Sequence, residues 1–102
     1  MTETVLSNRK IPIRLTSERW AHITEEHCEL AGLRLEVLET VSNPSKIFAG
    51  KQGELMAVRK ISSGKHLVVV YRDFETDGFI ITAFMTSKPQ SLDRRTKLWP
   101  LN

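Results

Sequence analysis

The chain has a single cysteine, Cys28, among its 102 residues. That excludes an internal disulfide framework and a structural zinc site of the cysteine type, and it fits a reducing compartment. No apolar run approaches the ~20 residues a helix needs to cross a bilayer, and nothing near Met1 joins a basic segment to an apolar one. The expectation is a soluble, cytoplasmic protein without a membrane partner. Metal-ligand spacings, glycine loops that cradle phosphate and nucleophile elbows are all missing, so neither a metal nor a cofactor is expected. Repeats and low-complexity tracts are absent too.

What is present is the composition of one globular domain, 40% hydrophobic and 26% charged, long enough to bury a core without staples. The net charge of +3 is small, but it is unevenly spread. Six acids lie between Glu18 and Glu39 against Arg19 and Arg34, while six bases lie between Lys46 and Arg72 against Glu54. A polyanion-binding sheet backed by acidic helices would show this asymmetry. The segment 89–102, which holds Arg94, Arg95 and Lys97, reads as a basic tail or packing arm beyond a domain spanning 9–88.

The strongest local signal runs from Lys65 to Lys88. Two runs rich in Val, Ile, Phe, Tyr and Thr flank a turn containing Asp77-Gly78, which predicts a β-hairpin at the centre of the sheet. Setting Phe74 opposite Gly78 gathers Leu67, Val69, Tyr71, Ile81, Ala83 and Met85 on one face. His66, Val68, Val70, Arg72, Ile80, Thr82, Phe84 and Thr86 then share the other. Upstream, Lys46–Ala49 and Glu54–Ile61 read as two more strands. With Ser62 opposite Lys65, Arg59 falls opposite Val68 on the face of Arg72, Thr82 and Thr86, and Lys60 falls on the other.

The N-terminal part is read as polar and frayed over Met1–Asn8, then as an edge or irregular strand over Arg9–Leu15 because of Pro12. Thr16 suits a helix N-cap. The helix expected to about Cys28 carries a buried stripe of Trp20, Ile23, His27 and Leu30, with His22 on the wet side beside Glu26. A second helix, apolar at Leu33, Val37, Leu38 and Val41, ends at Asn43-Pro44. The predicted fold is therefore α+β: two N-terminal helices on a roughly four-stranded antiparallel meander, with a short N-terminal strand and a basic C-terminal tail.

The histidines, the bases and the strand hydroxyls are the residues with chemistry to offer. Metal-free RNA cleavage needs a group to take the proton of the 2′-hydroxyl, another to protonate the leaving 5′-oxygen, and cations for the charged phosphorane. Histidine suits the proton transfers because its unperturbed pKa is about 6.5, and arginine suits phosphate because its planar fork matches the oxygens. His27 and His22 are thus acid/base candidates, Arg59 and Arg72 phosphate clamps, and Thr82 or Thr86 orienting hydroxyls. A Cys28–His27 nucleophile pair is disfavoured, since neighbours on a helix diverge, and Cys28 is expected to be a small packed residue. A histidine on an apolar stripe also serves simply as core, and that reading of His27 stays open.

The order of the short motifs adds a resemblance. A strand, W-x-H-I-x-x-x-H (Trp20 to His27), a helix ending Asn43-Pro44, then G-E-L-x-A-V-R-K (Gly53 to Lys60), L-V-V-V-Y-R (Leu67 to Arg72) and F-I-I-T-A-F-x-T-S-K (Phe79 to Lys88) resemble phage-associated nuclease domains of the barnase/EndoU/colicin/RelE-like superfamily. The resemblance implies helices on an antiparallel sheet and a metal-independent ribonuclease of toxin or effector type. It implies active positions at His27 with His22 second, at Arg59 or Lys60, and at Thr86 with Thr82 second. Lys60, Arg72, Thr82 and Lys88 are the expected RNA contacts. RNA is the expected partner, with an acidic antitoxin or immunity protein as a further one. Cys28 stands where members often have proline after the histidine, and Met85 stands where a proline is frequent. The alternative function is a non-catalytic RNA- or protein-binding module, and nothing in the sequence indicates an oligomeric state.

Overall fold

The computed structural model describes residues 1–101; Asn102, the last residue of the expected tail, lies outside the described residues. The chain folds as β1 (Thr2–Leu6), β2 (Pro12–Thr16), α1 (Ser17–Glu26), a 3-10 turn (Cys28–Leu30), α2 (Arg34–Ser42), β3 (Lys46–Ala49), β4 (Leu55–Ser62), β5 (Lys65–Asp73), β6 (Gly78–Thr86), a second 3-10 turn (Pro89–Arg94) and β7 (Lys97–Trp99). The strands form one seven-stranded sheet in the order β1-β2-β6-β5-β4-β3-β7. It is mixed, because β2 runs parallel to β6 while every other pair is antiparallel.

This corrects the expected four-stranded meander with a frayed start and a basic tail. Strands β3 to β6 are the antiparallel middle of a wider sheet, closed on one side by the β1–β2 hairpin and on the other by β7. Residues 2–6 pair with 12–16 although their sequence is polar and short. The hairpin is tied by Ser7, whose buried Oγ accepts from the backbone N–H groups of Arg9 and Ile11. Pro12 is accommodated as the first residue of its strand, where its missing N–H costs least.

Both helices and the first 3-10 turn lie on one face. Ile23 of α1, Leu30 of the first 3-10 turn and Val37, Leu38 and Val41 of α2 pack on Leu67, Val69, Tyr71, Ile80 and Ala83 of the sheet, with Ile13 and Leu15 of β2 between them. Full burial of each such aliphatic side chain is worth roughly 1.5–3 kcal/mol relative to exposure, so this layer supplies most of the apolar driving force. The second face is smaller: Phe48, Met56, Val58, Val68 and Val70 are covered by Leu92 of the second 3-10 turn.

Two bulges set which side chain reaches which face. Near the hairpin turn Asp73 lies opposite Gly78 and Tyr71 opposite Ile80, whereas beyond the register shift Val70 lies opposite Thr82 and His66 opposite Thr86. Ile80, not Ile81, therefore joins the helix-facing core, and Ile81 packs with the second cluster. A second shift, between Lys60 and Ser62, sets Arg59 opposite Leu67 and Lys60 opposite His66. An extra residue in one strand exchanges the faces of everything on its far side, so the expected orientations of Arg59 and Lys60 are reversed.

Gly78 is required by close approach: a Cβ there would collide with the carbonyl oxygen of Arg72. Among the described residues no helix is long and apolar enough to cross a membrane.

Candidate functional site

Thr16 accepts from the backbone N–H of Arg19 at 3.0 Å and so starts α1. The helix ends sooner than its apolar stripe suggests. His27 is the C-cap, at φ −132° and ψ 71°, and Cys28 opens a new turn. That break turns His27 out of the stripe. Its side chain is 34% exposed, with Nδ1 3.7 Å from a carboxylate oxygen of Glu29. The ring lies 6.2 Å from that of Phe84. Phe84 belongs to the second sheet face, so the end of α1 reaches the β6 edge rather than pointing into the helix-side core. Cys28 is exposed rather than packed. His22 sits one turn back and engages Glu26 at 3.2 Å on the outer side of the helix.

The remaining expected site residues divide between the faces. Arg59 points to the helix side and reaches Glu39 of α2 at 3.3 Å. Lys60 points to the opposite side, directly across β4–β5 from His66, which is in turn directly across β5–β6 from Thr86. Lys60, His66 and Thr86 thus form one cross-strand row. Thr82 lies two rows away opposite Val70. Arg72 lies at the far end of β5 from His66, about 20 Å along a strand that rises ~3.3 Å per residue, with its guanidinium beside Gly53. Lys88 follows the strand, its backbone N–H donating to Thr86 Oγ1 at 3.0 Å.

The row borders a cleft of about 260 Å³ between the second face and the second 3-10 turn, lined by Ser45, Lys46, Phe48, Val58, Lys60, His66, Pro89, Gln90 and Asp93. Lys46 enters because β3 pairs it with Val58, one row from Lys60. The cleft therefore has an apolar floor, two ammonium groups, an imidazole and one carboxylate. His66 Nδ1 is buried and finds no hydrogen-bond partner among the described residues. A buried nitrogen without a partner is costly to maintain.

The structure thus brings together Lys60 and Thr86, leaves His27 beside the neighbouring row, and separates His22, Arg59 and Arg72 from them. It adds His66 and Lys46, neither of which the sequence singled out for a role. The available signal was register: His66 shares alternation with Val68 and Val70, and Lys60 joins them only once the bulge at Ile61 is known. Among the described residues no group of three or more His, Cys, Asp or Glu side chains converges as a metal site. No protein-family model, curated protein or solved structure matches this chain.

Proposed function

We propose that the chain is a metal-independent endoribonuclease of toxin or effector type, related to the nuclease superfamily its motifs resemble, and that it engages RNA on the sheet face opposite the helices. The observation that carries this reading is the Lys60–His66–Thr86 row at the mouth of a cleft that also holds Lys46. Two ammonium groups there attract a phosphodiester, and charge stabilisation of this kind is worth most where charge develops on the phosphorane.

The reaction removes the proton of the 2′-hydroxyl, forms a bond from that oxygen to phosphorus, breaks the bond from phosphorus to the 5′-oxygen and protonates the leaving oxygen. The products are a 2′,3′-cyclic phosphate and a 5′-hydroxyl. In this proposal His66 carries one proton transfer, through Nε2, since its Nδ1 is buried. His27, beside Phe84 one row along, is the candidate for the other. Lys60 and Lys46 neutralise the phosphate, and Thr86 orients it. His22 and Arg59 drop out of the catalytic set because His22 lies on the outer side of α1 beside Glu26 and Arg59 lies on the helix-bearing face beside Glu39.

A second reading is a non-catalytic module that binds RNA on the same face. It is favoured by the separation of Arg59 from His27 and Thr86. An acidic inhibitor protein would compete for the same lysines under either reading.

The deciding experiment is incubation of end-labelled RNA with purified protein in the presence of a chelator, comparing the wild type with His66→Ala and His27→Ala of matched folding. Cyclic-phosphate products from the wild type, lost in His66→Ala, support the nuclease. RNA binding without cleavage by any of the three supports the module.

A further inference from the structure

A second cavity lies on the helix-bearing face, at the end of β5 away from His66. It measures about 270 Å³ and is lined by Asn8, Arg9, Ile47, Leu55, Tyr71, Leu98 and Trp99. Tyr71 stands five residues from His66 on the same strand, about 16 Å along it, and on the other side of the sheet. The cavity is therefore separate from the basic cleft, and its chemistry is independent of the ribonuclease reading.

The lining has three chemical parts. Ile47, Leu55, Leu98, Tyr71 and Trp99 form an apolar slot with two aromatic side chains in its lining. Trp99 is 39% exposed, so its ring is reachable from solvent. Asn8 supplies an amide, which offers a donor and an acceptor on one planar edge, and its Oδ1 is buried without a hydrogen-bond partner among the described residues. Arg9 stands at the mouth with a side chain 62% exposed, 3.6 Å from the carboxylate of Asp73, which is itself only 3% exposed. The loop is held in place by the two bonds that Ser7 Oγ accepts.

An amide whose oxygen lacks a partner, beside an exposed indole, matches a planar heterocycle that has its own donor and acceptor. This is the arrangement by which asparagine reads a base edge and aromatic side chains stack on it. The volume lies just below the roughly 300–1,000 Å³ of sites for drug-sized ligands, so it suits one ring system and leaves an attached phosphate outside, where Arg9 stands. We infer that this cavity is a binding site for a nucleobase carrying a phosphate, with the base between Trp99 and the Asn8 amide and the phosphate at Arg9. The base arrives either on a free nucleotide or on an RNA strand.

The test uses the full chain labelled with ¹⁵N and follows the Trp99 indole N–H and the Asn8 side-chain amide. The four nucleoside 5′-monophosphates, their nucleosides and a short single-stranded oligoribonucleotide are titrated separately. Saturable shifts of both signals with at least one monophosphate are expected, several-fold weaker with its nucleoside and at least tenfold weaker in Asn8→Ala or Trp99→Leu. Shifts with the oligoribonucleotide alone support the site and identify a strand as the source. No saturable shift with any probe, or an affinity that either variant leaves unchanged when read on the signal it retains, overturns the inference. Cleavage is not read in this experiment, so its result is independent of whether the protein is a nuclease.

Discussion

Arg59 and Glu39 form an ion pair at 3.3 Å that ties β4 to α2 on the helix-bearing face, one residue from a lysine that points the opposite way. The adjacent bases Arg59 and Lys60 thus serve different surfaces. Arg59 links the basic strand to the acidic helix, and Lys60 belongs to the cleft with His66.

Arg59→Ala removes a pair whose side chains are 36% and 52% exposed. Pairs this wet are worth about 0–1 kcal/mol, so the midpoint of urea unfolding should move little and RNA binding should be nearly unchanged. A loss of RNA affinity comparable to that of Lys60→Ala would contradict the division of faces.

Lys60→Ala takes one cation from the proposed phosphate site. RNA affinity should fall for all sequences alike, and the slope of log affinity against log salt should decrease by about 0.7, the value for one phosphate contact on a single strand. Affinities measured at several salt concentrations, with Lys60→Ala beside wild type, would settle this.

Leu67→Ala opens a space under both helices, since Leu67 is fully buried among the residues that meet α1 and α2. The expected cost is about 2–5 kcal/mol, a large part of the stability of a domain this size. Denaturant unfolding at constant m-value gives the number, and a cost under ~1 kcal/mol would mean the helix layer is not packed as described.

Tyr71 is the only tyrosine, so its ionisation can be followed directly by the near-ultraviolet absorbance of the phenolate. Burial, followed by the nearby Asp73 carboxylate, pushes its pKa up from 10.0 to about 12. A folded value above the unfolded one means the neutral phenol's contribution is complete below pH ~10 and is lost as pH rises toward 12, at up to about 1.4 kcal/mol per pH unit. Tyr71→Phe should lack this component of alkaline destabilisation. A phenolate titrating near 10 in the native protein would count against the buried position.

Gly78→Ala places a methyl group against the carbonyl of Arg72 at the turn end of the central hairpin. The hairpin must open there, and the substitution should destabilise far more than Gly64→Ala in the neighbouring turn. Gly64 has open space around it and pays only for its φ of 73°. Comparing the two unfolding curves tests this.

Much of the local structure was legible because it follows from short-range chemistry. Thr16 marks the start of α1 through its hydroxyl, Asn43-Pro44 stops α2, and the β-branched runs of residues 46–86 spell out β3 to β6 by alternation. The two edge strands were not legible. Residues 2–6 and 97–99 are too short to show an alternation of their own and become strands only because β2 and β3 offer them unpaired backbone groups. The parallel contact of β2 with β6 joins Ile13 to Gly78, and a pairing that distant leaves no trace in any local window.

The candidate site was legible in part. The sequence offered helix histidines, strand bases and strand hydroxyls, and of these Lys60 and Thr86 lie in the row that His66 completes. Which histidine and which base share a surface was not legible. His27 leaves the helical stripe because the helix breaks one residue before Cys28. Lys60 displaces Arg59 because a single extra residue at Ile61 inverts the alternation between the turn and the strand. By itself the sequence determined the starts of the helices, the strands β3 to β6 and the residue types they carry, since capping, β-branching and charge act over a few residues. Only the tertiary structure decided which of those groups meet, because bulges, helix ends and long-range pairing are settled by packing across the whole sheet.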